Sequence, residues 1–497
     1  MTTAIETPQE STSSVSDVLR DIRRALLPQG SLQSVRKSFH SELLKRLNNS
    51  SESMLPSSLN IIRLYKNNND LLHPYNHNKI LAIDFGGTTL KIAVIKTYPT
   101  LCIDYLHTID IEERHVNSEF FEKIIQSMID EMKDKFFDFF YDNDLIDNKI
   151  LNIPVSITFS FPLNSKFEIT SMGKGYVLSD EIKNINFLQF LQHTFDKVCA
   201  RNTIHDSFAF TIKDNLIIND SIAVHLTNTY IKQFPTVTFF TDSHPSIPAS
   251  SSSTLANSDG NSISFILGTG TNCSFELPFH RLPEFKRNEI LATKSNAPFE
   301  SDNTVVINSE IGFLGSESIK LTKFDYVPPA ANKPMPLEYI SSGRYIPSIL
   351  VRVLQEYPII CPPLSNRSDL EEIIDGATFG LISNITDNFD LLEVTSQIKK
   401  KYGINETLDL RALSSVAKTI VQRGALYVVA SLLEIDALVE GDKSGPSFRQ
   451  IDIGYVGSTL AFSKYYQEQI TKMSNGRINL VFLQDSSLFG AAISTLL

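Results

Sequence analysis

The chain is poor in cysteine: its 497 residues include only Cys102, Cys199, Cys273 and Cys361. These four residues lie far apart, and none of them falls in a spacing that metal-binding motifs use. A disulfide framework and a metal module are therefore poor descriptions of the protein. We expect buried thiols in a reducing compartment.

The chain also lacks a basic run, an apolar leader and a membrane-spanning stretch. Its net charge is −11, which argues against nucleic acid or an anionic membrane as the main partner. Residues 1–17 are polar and acidic, and no run approaches the roughly 20 apolar residues that a bilayer span needs. We expect a cytoplasmic protein without a nucleic-acid or membrane partner, and with residues 1–15 disordered.

The length and the composition are those of an ordinary soluble enzyme. Hydrophobic residues make up 42% of the chain and charged residues 20%. A chain of 497 residues is too long for one compact core. We therefore expect two or more lobes.

Hydrophobic spacing gives a coarse secondary structure. Helices are predicted within residues 16–47 (two, broken at residues 28–30), 120–141, 221–234, 408–435 and 490–497. Strands are predicted from residue 79 onward and at residues 153–161, 208–218, 264–267 and 451–457. Residues 237–263 are rich in Ser, Pro, Asn and Gly, which predicts a flexible surface insertion.

Residues 81–93 (LAIDFGGTTLKIA) contain two apolar strands joined by a glycine-rich turn. Glycines lack a Cβ atom, so their backbone N–H groups can approach an anion closely, and threonine hydroxyls add donors. The turn residues concerned are Gly86, Gly87, Thr88 and Thr89. Lys91 adds a cation, and Asp84 could hold Mg²⁺ against phosphate. This pattern is neither a Walker loop nor a dinucleotide fingerprint, and a plain β-hairpin is the alternative.

A second turn of this kind follows the strand predicted at residues 264–267. It contains Gly268, Thr269 and Gly270, and two such turns far apart indicate two lobes that close on one nucleotide. A kinase also needs a carboxylate that accepts the proton of the acceptor hydroxyl. Asp220 lies between an apolar strand and a helix, where it suits that role. The alternative is that Asp220 or Ser221 only caps the helix.

Taken in order, these segments resemble the hexokinase family of actin-like, two-lobed sugar kinases. The resemblance extends from about residue 16 to residue 497. The segments that carry it are 84–88 (DFGGT), 158–162 (TFSFP) with 174–176 (KGY), 219–221 (NDS), 268–272 (GTGTN), 307–312 (INSEIG) and 337–343 (LEYISSG). Six matches in the same order make chance an implausible explanation.

The resemblance implies an α/β fold of the two-lobed actin-like ATPase type, as in hexokinases. Mixed sheets flanked by helices would form the lobes, with the active site in the cleft between them and a hinge near Asp220. Residues 75–219 and 480–497 would form the small lobe, and residues 16–74 and 220–479 the large lobe. We expect a monomer or a weak homodimer that binds a small sugar and Mg·ATP.

The resemblance also implies a role for each site residue. Asp220 would deprotonate the sugar 6-hydroxyl as it attacks the γ-phosphoryl group, and Lys174 would assist it. The residues implied to bind the sugar are Ser160, Phe161, Gly173, Lys174, Asn219, Asp220, Asn272, Glu310 and Glu338. Those implied to bind ATP are Asp84 (also the Mg²⁺ ligand), Gly86, Gly87, Thr88, Thr89, Lys91, Gly268, Thr269, Gly270, Gly457 and Ser458. Solvated surface roles are the alternative for Lys174, Glu310 and Glu338.

The chain departs from the family pattern at three places. Thr89 and Lys91 replace the usual Asn and Arg, which removes the bidentate fork of a guanidinium. The family's Asp-Gly-Ser of the adenosine region appears as residues 456–458 (VGS), and the usual Thr before the sugar-binding lysine is Gly173. The first two changes put the strength of nucleotide binding in doubt.

The glycine at position 173 bears on the choice of sugar. It removes one hydroxyl contact and opens space, which suits a sugar with an N-acetyl group at carbon 2. The chain also resembles the divergent fungal N-acetylglucosamine kinases more than ordinary hexokinases. We therefore expect N-acetylglucosamine as acceptor, with glucose as the alternative. A sugar sensor with little catalysis is an alternative of another class.

Overall fold

The computed structural model describes most of the chain. It covers residues 14–28, 30–59, 61, 79–97, 101–140, 150–161, 163–164, 166–169, 176–202, 208–233, 262–292, 303–328, 333–441 and 449–497. The predicted insertion lies outside these residues up to position 261. Of the segment predicted to be disordered, only the last two residues are described; Ser14 caps the first helix, and Val15 begins it.

The described residues form the following strands and helices. The strands are β1 Leu55–Pro56, β2 Lys79–Phe85, β3 Thr89–Lys96, β4 Cys102–Asp110, β5 His115–Val116, β6 Leu151–Phe159, β7 Val177–Leu178, β8 Phe208–Asn219, β9 Ile263–Leu267, β10 Thr271–Pro278, β11 Thr304–Asn308, β12 Ile451–Val456 and β13 Ile478–Phe482. The α-helices are α1 Val15–Leu26, α2 Leu32–Asn49, α3 Ser118–Met132, α4 Phe136–Phe140, α5 Phe187–Arg201, α6 Asp220–Gln233, α7 Glu284–Ala292, α8 Pro336–Ser341, α9 Ile346–Glu356, α10 Pro362–Ser365, α11 Leu370–Ile373, α12 Gly376–Asn384, α13 Asn388–Tyr402, α14 Leu410–Glu440, α15 Ser458–Phe462, α16 Lys464–Met473 and α17 Ser486–Ser494. Short 3₁₀ turns occur at Phe279–Arg281, Ile311–Phe313 and Pro358–Ile360.

Two mixed sheets organise the molecule. A five-stranded sheet has the order β4-β3-β2-β6-β8, with β2, β6 and β8 parallel and the other pairs antiparallel. A six-stranded sheet has the order β1-β11-β10-β9-β12-β13, in which β12 runs parallel to β9 and β13. Helices flank both sheets, which confirms the predicted fold class.

Helices α6 and α17 pack together between the two sheets. Their buried residues share one cluster with Ala82 and Ala93 of the five-stranded sheet and Val306 of the six-stranded sheet. The helices cross so closely that a Cβ atom on Gly490 would lie 2.0 Å from the carbonyl oxygen of Ala223. Only glycine therefore fits at this crossing.

The chain changes sheets near the predicted lobe boundary at residue 480. Strand β13 runs through that position, and its Phe482 still pairs with Tyr455 of β12 in the six-stranded sheet. After this strand, α17 packs on the five-stranded sheet. The change of sheet thus follows Phe482, and the lobe boundaries stay a prediction.

The predicted single helix at residues 120–141 is two helices in the structure. After α3, the N–H of Lys135 bonds to the carbonyl of Met132, an i→i+3 bond that tightens the chain. The buried face nevertheless continues through Phe136 and Phe140. Hydrophobic spacing therefore finds the face but not the local change in hydrogen bonding.

Helix α14 is the one helix in the described part of the chain that is long and apolar enough to cross a membrane. Its most apolar window is 83% buried inside the protein, as expected for the core helix of a globular lobe.

None of the four cysteines forms a disulfide, and Cys199, Cys273 and Cys361 are buried. Burial raises the pKa of the Cys361 thiol to about 11, so this group stays protonated and unreactive. The expectation of buried thiols is thus confirmed for three of them.

Candidate active site

Asp220 lies where β8 passes directly into α6. Its Oδ2 accepts a 2.7 Å hydrogen bond from Ser160 Oγ, and its Oδ1 accepts one of 2.8 Å from the N–H of Ser221. The residue is only 8% exposed. The carboxylate is therefore held in one orientation by groups from two different strands' ends.

Asn219 occupies the position just before this helix. Its Oδ1 accepts hydrogen bonds from the N–H (2.9 Å) and the Oγ (2.7 Å) of Ser221. Asp220 is the first residue of α6, and both Asn219 and Asp220 accept hydrogen bonds from Ser221 at the start of this helix. Helix capping would account for the bond that Asp220 accepts from Ser221, but it does not require the bond that Asp220 accepts from Ser160.

A group of amide and carboxylate side chains lies where β10 begins and β11 ends in the six-stranded sheet. Asn308 Oδ1 accepts a hydrogen bond from Asn272 Nδ2 (2.9 Å) and lies 3.1 Å from Ser221 Oγ, and its Nδ2 donates to Glu310 Oε1 (2.8 Å). Asn308 therefore joins the start of α6 to two residues implied to bind sugar. Asn308 is not among the residues predicted from the motifs, although it lies in the matched segment 307–312.

Glu310 has a left-handed backbone, with φ of 51°. This conformation costs a non-glycine residue about 1–3 kcal/mol and occurs often at functional sites. Its N–H donates to Asn272 Oδ1 at 3.0 Å. The strained backbone of Glu310 holds its carboxylate against the side-chain amide of Asn272.

Glu338 lies on α8, next to the second glycine turn. Its Oε2 accepts a 3.2 Å hydrogen bond from the N–H of Thr271, the residue after Gly270, and the side chain is 3% exposed. Thr271 Oγ1 and Ser341 Oγ lie 2.9 Å apart. A solvated surface role does not describe Glu338, because it is buried.

The first glycine turn is a β-hairpin between β2 and β3, closed by a 3.0 Å bond from the N–H of Gly86 to the carbonyl of Thr89. The hairpin and phosphate interpretations are therefore compatible, because Gly87, Thr88 and Thr89 remain at its tip. Asp84 precedes the turn and accepts a 2.7 Å bond from Thr158 Oγ1. Burial raises the pKa of Asp84, and the nearby negative charge of Asp220 adds to the rise, while Lys91 opposes it.

Lys91 has a partner that the sequence did not suggest. Its Nζ lies 2.7 Å from Oδ1 of Asp485, the residue before α17. Burial lowers the pKa of Lys91, but the carboxylates of Asp485 and Asp84 outweigh this effect and raise it overall. Lys91 is thus a permanent cation bound to the C-terminal helix.

The second glycine turn packs against the end of β12. The carbonyl of Gly268 accepts bonds of 2.8 Å from Gly343 N–H and from Thr459 Oγ1. Gly457 has φ of +110°, and a Cβ there would lie 2.4 Å from the carbonyl carbon of Leu267. The structure thus brings Gly268, Thr269 and Gly270 together with Gly457 and Ser458.

Two further predicted residues, Gly173 and Lys174, lie outside the described residues.

Phe161 is described, and its ring is 1% exposed and packed against Phe159 and Tyr176, with centroids 5.3 Å and 5.2 Å away. The structure therefore places its side chain in the hydrophobic core beside the five-stranded sheet. A cavity of about 170 Å³ borders the site and is lined by Asn219 and Asn308, among others.

Mg²⁺ fits this arrangement as an ion that arrives with phosphate. Among the described residues, no group of three or more His, Cys, Asp or Glu side chains could hold a metal alone. Magnesium commonly takes one or two carboxylates and completes its shell with water and phosphate oxygens. Asp84, in β2 just before the first glycine turn, is the residue that would supply such a carboxylate.

Comparison with known proteins supports the assignment of the fold. N-acetylglucosamine kinase 1 of Candida albicans is 24% identical over 457 residues, which cover 84% of this chain and 82% of that protein. The structure of a Schistosoma mansoni hexokinase complexed with glucose has a TM-score of 0.64, at 15% identity, and covers 97% of this chain and 100% of that chain. A second hexokinase crystal structure has a TM-score of 0.60 at 16% identity, covering 97% and 99%.

Two family models, both described as hexokinase, match residues 19–230 and 262–497. Together they span most of the chain and include both glycine turns and Asp220. The chain therefore belongs to the hexokinase family and is an ATP-dependent sugar kinase with the two-lobed actin-like fold.

Proposed function

We propose that this kinase transfers the γ-phosphoryl group of ATP to the 6-hydroxyl of N-acetylglucosamine, with Asp220 as the general base. The observation that carries the mechanism is the buried Asp220 carboxylate, fixed by Ser160 and by the helix start. A base held in one geometry needs no reorganisation when the reaction occurs. A sugar sensor has no chemical need for such a group.

The proton and phosphoryl balance is simple. Asp220 accepts the proton of the sugar 6-hydroxyl while the hydroxyl oxygen bonds to the γ-phosphorus of ATP. The bond between the γ-phosphorus and the bridging oxygen of ADP breaks. The products are the sugar 6-phosphate, ADP and a proton that Asp220 later releases to water.

The amide and carboxylate group would orient the sugar. Asn219, Asn272, Glu310 and Glu338 offer acceptors and donors to ring hydroxyls, and the last two residues are 8% and 3% exposed. A buried site built for hydroxyl groups rejects molecules that leave its polar atoms unpaired. These residues therefore supply orientation as well as affinity.

The two glycine turns would bind the phosphates of ATP. The residues that would contact them are Gly86, Gly87, Thr88, Thr89, Gly268, Thr269 and Gly270, with Gly457 and Ser458 towards the nucleoside. Asp84 would hold Mg²⁺, which neutralises charge on the phosphate oxygens when bound. Lys91, which lies beside Asp84 and Asp485, would contribute a positive charge to this site.

Two observations favour N-acetylglucosamine over glucose. The Candida albicans relative carries this sugar in its name and matches over most of its length. Gly173 stands where the family usually has Thr, next to the implied sugar-binding Lys174, and a residue without a side chain would leave room for an N-acetyl group. Glucose remains the alternative acceptor.

An ADP-release assay with Mg·ATP tests the proposal, comparing N-acetylglucosamine, glucose and no sugar. We expect turnover with a preference for N-acetylglucosamine. The Asp220→Asn variant should still bind sugar in calorimetry and lose turnover by about 10²–10⁴-fold. Sugar binding without turnover in the unmodified protein would instead identify a sensor.

The variant Gly173→Thr tests the choice of sugar separately. We expect the ratio of kcat/KM for glucose to that for N-acetylglucosamine to rise, because a threonine refills the space. An unchanged ratio would remove the Gly173 argument and leave the kinase mechanism standing.

A further inference from the structure

Arg114 lies beside the first glycine turn, although no motif includes it. Its Nη1 donates a 2.8 Å hydrogen bond to the carbonyl oxygen of Gly87. Its guanidinium carbon lies 4.7 Å from the centre of the Tyr176 ring. Within the described residues Arg114 makes no ion pair. Arg114, for which these residues supply no carboxylate partner, thus contacts the tip of the hairpin.

Two successive carbonyl groups of this turn, those of Gly87 and Thr88, each accept a hydrogen bond. The N–H of Ile111 donates a 2.8 Å bond to the carbonyl of Thr88, next to the bond from Arg114 to Gly87. In a trans peptide the C=O and the following N–H point in opposite directions. When Arg114 holds the Gly87 carbonyl, the N–H of Thr88 therefore points away from Arg114.

Lys91 does not provide this fixation, because its ammonium group is bound to Asp485. The side chain of Arg114 is in turn kept in place by its stack on Tyr176. The backbone next to it is also fixed, because the N–H of Val177 donates to the carbonyl of Arg114 at 2.8 Å. The guanidinium is thus pre-organised before any ligand binds.

We propose that Arg114 is a positioning residue for the nucleotide: it sets the Gly87–Thr88 peptide so that its N–H serves the phosphate site. The proposal rests on the proposed function of this turn in phosphate binding. Arg114 acts through the peptide and not through the sugar. Loss of its side chain therefore weakens nucleotide binding and leaves sugar binding intact.

The test uses the full chain with Arg114→Ala and Arg114→Lys. A lysine keeps a cation that can donate to one carbonyl, so it should restore part of the function. Arg352 supplies a matched control, because its Nη1 donates to the carbonyl of Asp325 at 3.3 Å and it lies 5.3 Å from the Tyr326 ring. Arg352→Ala removes the same kind of contacts from another part of the molecule.

We expect Arg114→Ala to raise the KM for ATP, and the calorimetric Kd for Mg·AMPPNP, by about tenfold, the scale of one lost hydrogen bond to a charged group. Arg114→Lys should lie between that variant and the unmodified protein. The KM for the sugar and its Kd should change by less than about twofold, and Arg352→Ala should change none of these values.

Two results would overturn the proposal. One is an unchanged AMPPNP affinity in Arg114→Ala. The other is an equal loss of sugar and nucleotide affinity, which would indicate general damage to the five-stranded sheet and its helices. The calorimetric arm does not depend on turnover, so a failed kinase assay in the unmodified protein counts against the proposed function and not against the role of Arg114.

Discussion

Lys91 Nζ and Asp485 Oδ1 are 2.7 Å apart and join residues 394 positions apart in the sequence. Lys91 lies on β3 of the hairpin that carries the first glycine turn, and Asp485 directly precedes α17. Asp485 has φ of 50° and a side chain that is 6% exposed. The pair therefore fixes the last helix to the phosphate hairpin.

Breaking this pair from the lysine side should destabilise the protein. Lys91→Met leaves the Asp485 carboxylate buried without its cation, and we expect a loss of about 1–3 kcal/mol in the free energy of unfolding, since Lys91 is one-third exposed. Urea unfolding of Lys91→Met, Asp485→Asn and the double variant gives the coupling energy. Additive losses in the double variant would show that the two side chains do not act as a pair.

Ser160 should matter for rate because it holds the proposed base. Ser160→Ala removes the 2.7 Å bond to Asp220 Oδ2, and we expect kcat to fall by about tenfold as the carboxylate loses its fixed orientation. Ser156 is the matched control, since it lies in β6, which ends one residue before Ser160, and its Oγ donates to the carbonyl of Ala491 at 2.7 Å. Steady-state kinetics in which Ser156→Ala loses as much kcat as Ser160→Ala would contradict the assigned role.

Gly457 should be essential at the second glycine turn. Its φ of +110° and the 2.4 Å approach to Leu267 leave no space for a Cβ, so Gly457→Ala should cost about 1–3 kcal/mol and raise the KM for ATP. Gly476 has φ of +74° but open space around it, so Gly476→Ala tests backbone strain alone. Thermal unfolding and ATP kinetics on both variants separate the two effects. Equal changes in thermal stability and in the KM for ATP in the two variants would show that the close approach to Leu267 does not affect function.

Lys286 predicts a measurable pH dependence of stability. Its side chain is fully buried, and its Nζ donates to the carbonyls of Ser50, Ser53 and Met54 at 2.7–3.0 Å. Burial lowers the pKa of Lys286 from 10.5 to about 8. Between these values the unfolded chain holds a proton that the folded protein has released, so this group favours folding more as the pH rises.

The comparison with Lys286→Met isolates this effect. From about pH 7.5 to about pH 9.5, the stability of the unmodified protein relative to the variant should rise by about 1–2 kcal/mol. Urea unfolding of both proteins at the two pH values measures it. A relative stability that falls over this range would mean that the pKa of Lys286 is raised instead.

Local sequence was enough to predict the features that depend on residues close together in the chain. Asp220 follows an apolar strand and begins a helix, and both elements follow from hydrophobic spacing. Gly86 and Gly87 lie in a hairpin for the same reason. The predictions of a cytoplasmic location and of a monomer or weak homodimer depend on no such local feature, and they stay predictions.

Distant contacts could not be found in this way. Asp485 and Arg114 reach the first turn only because the fold brings their segments there, and neither lies in a matched motif. Asn308 was missed for a different reason: it lies in a motif with Glu310, but its role also depends on Ser221 and Asn272 from two other segments. The amino-acid pattern identifies these positions only when the sheet order is already known.

The packing of α17 has a consequence for synthesis in the cell. The face of the five-stranded sheet that includes Ala82 and Ala93 is covered by helices α6 and α17. The last strand of that sheet ends at Asn219, and α17 ends at Ser494. At about 5–20 residues per second, a ribosome adds the intervening segment in about 15–55 s. During that time a nascent chain presents part of an apolar sheet face without its cover, so this interval is when a chaperone would be needed most.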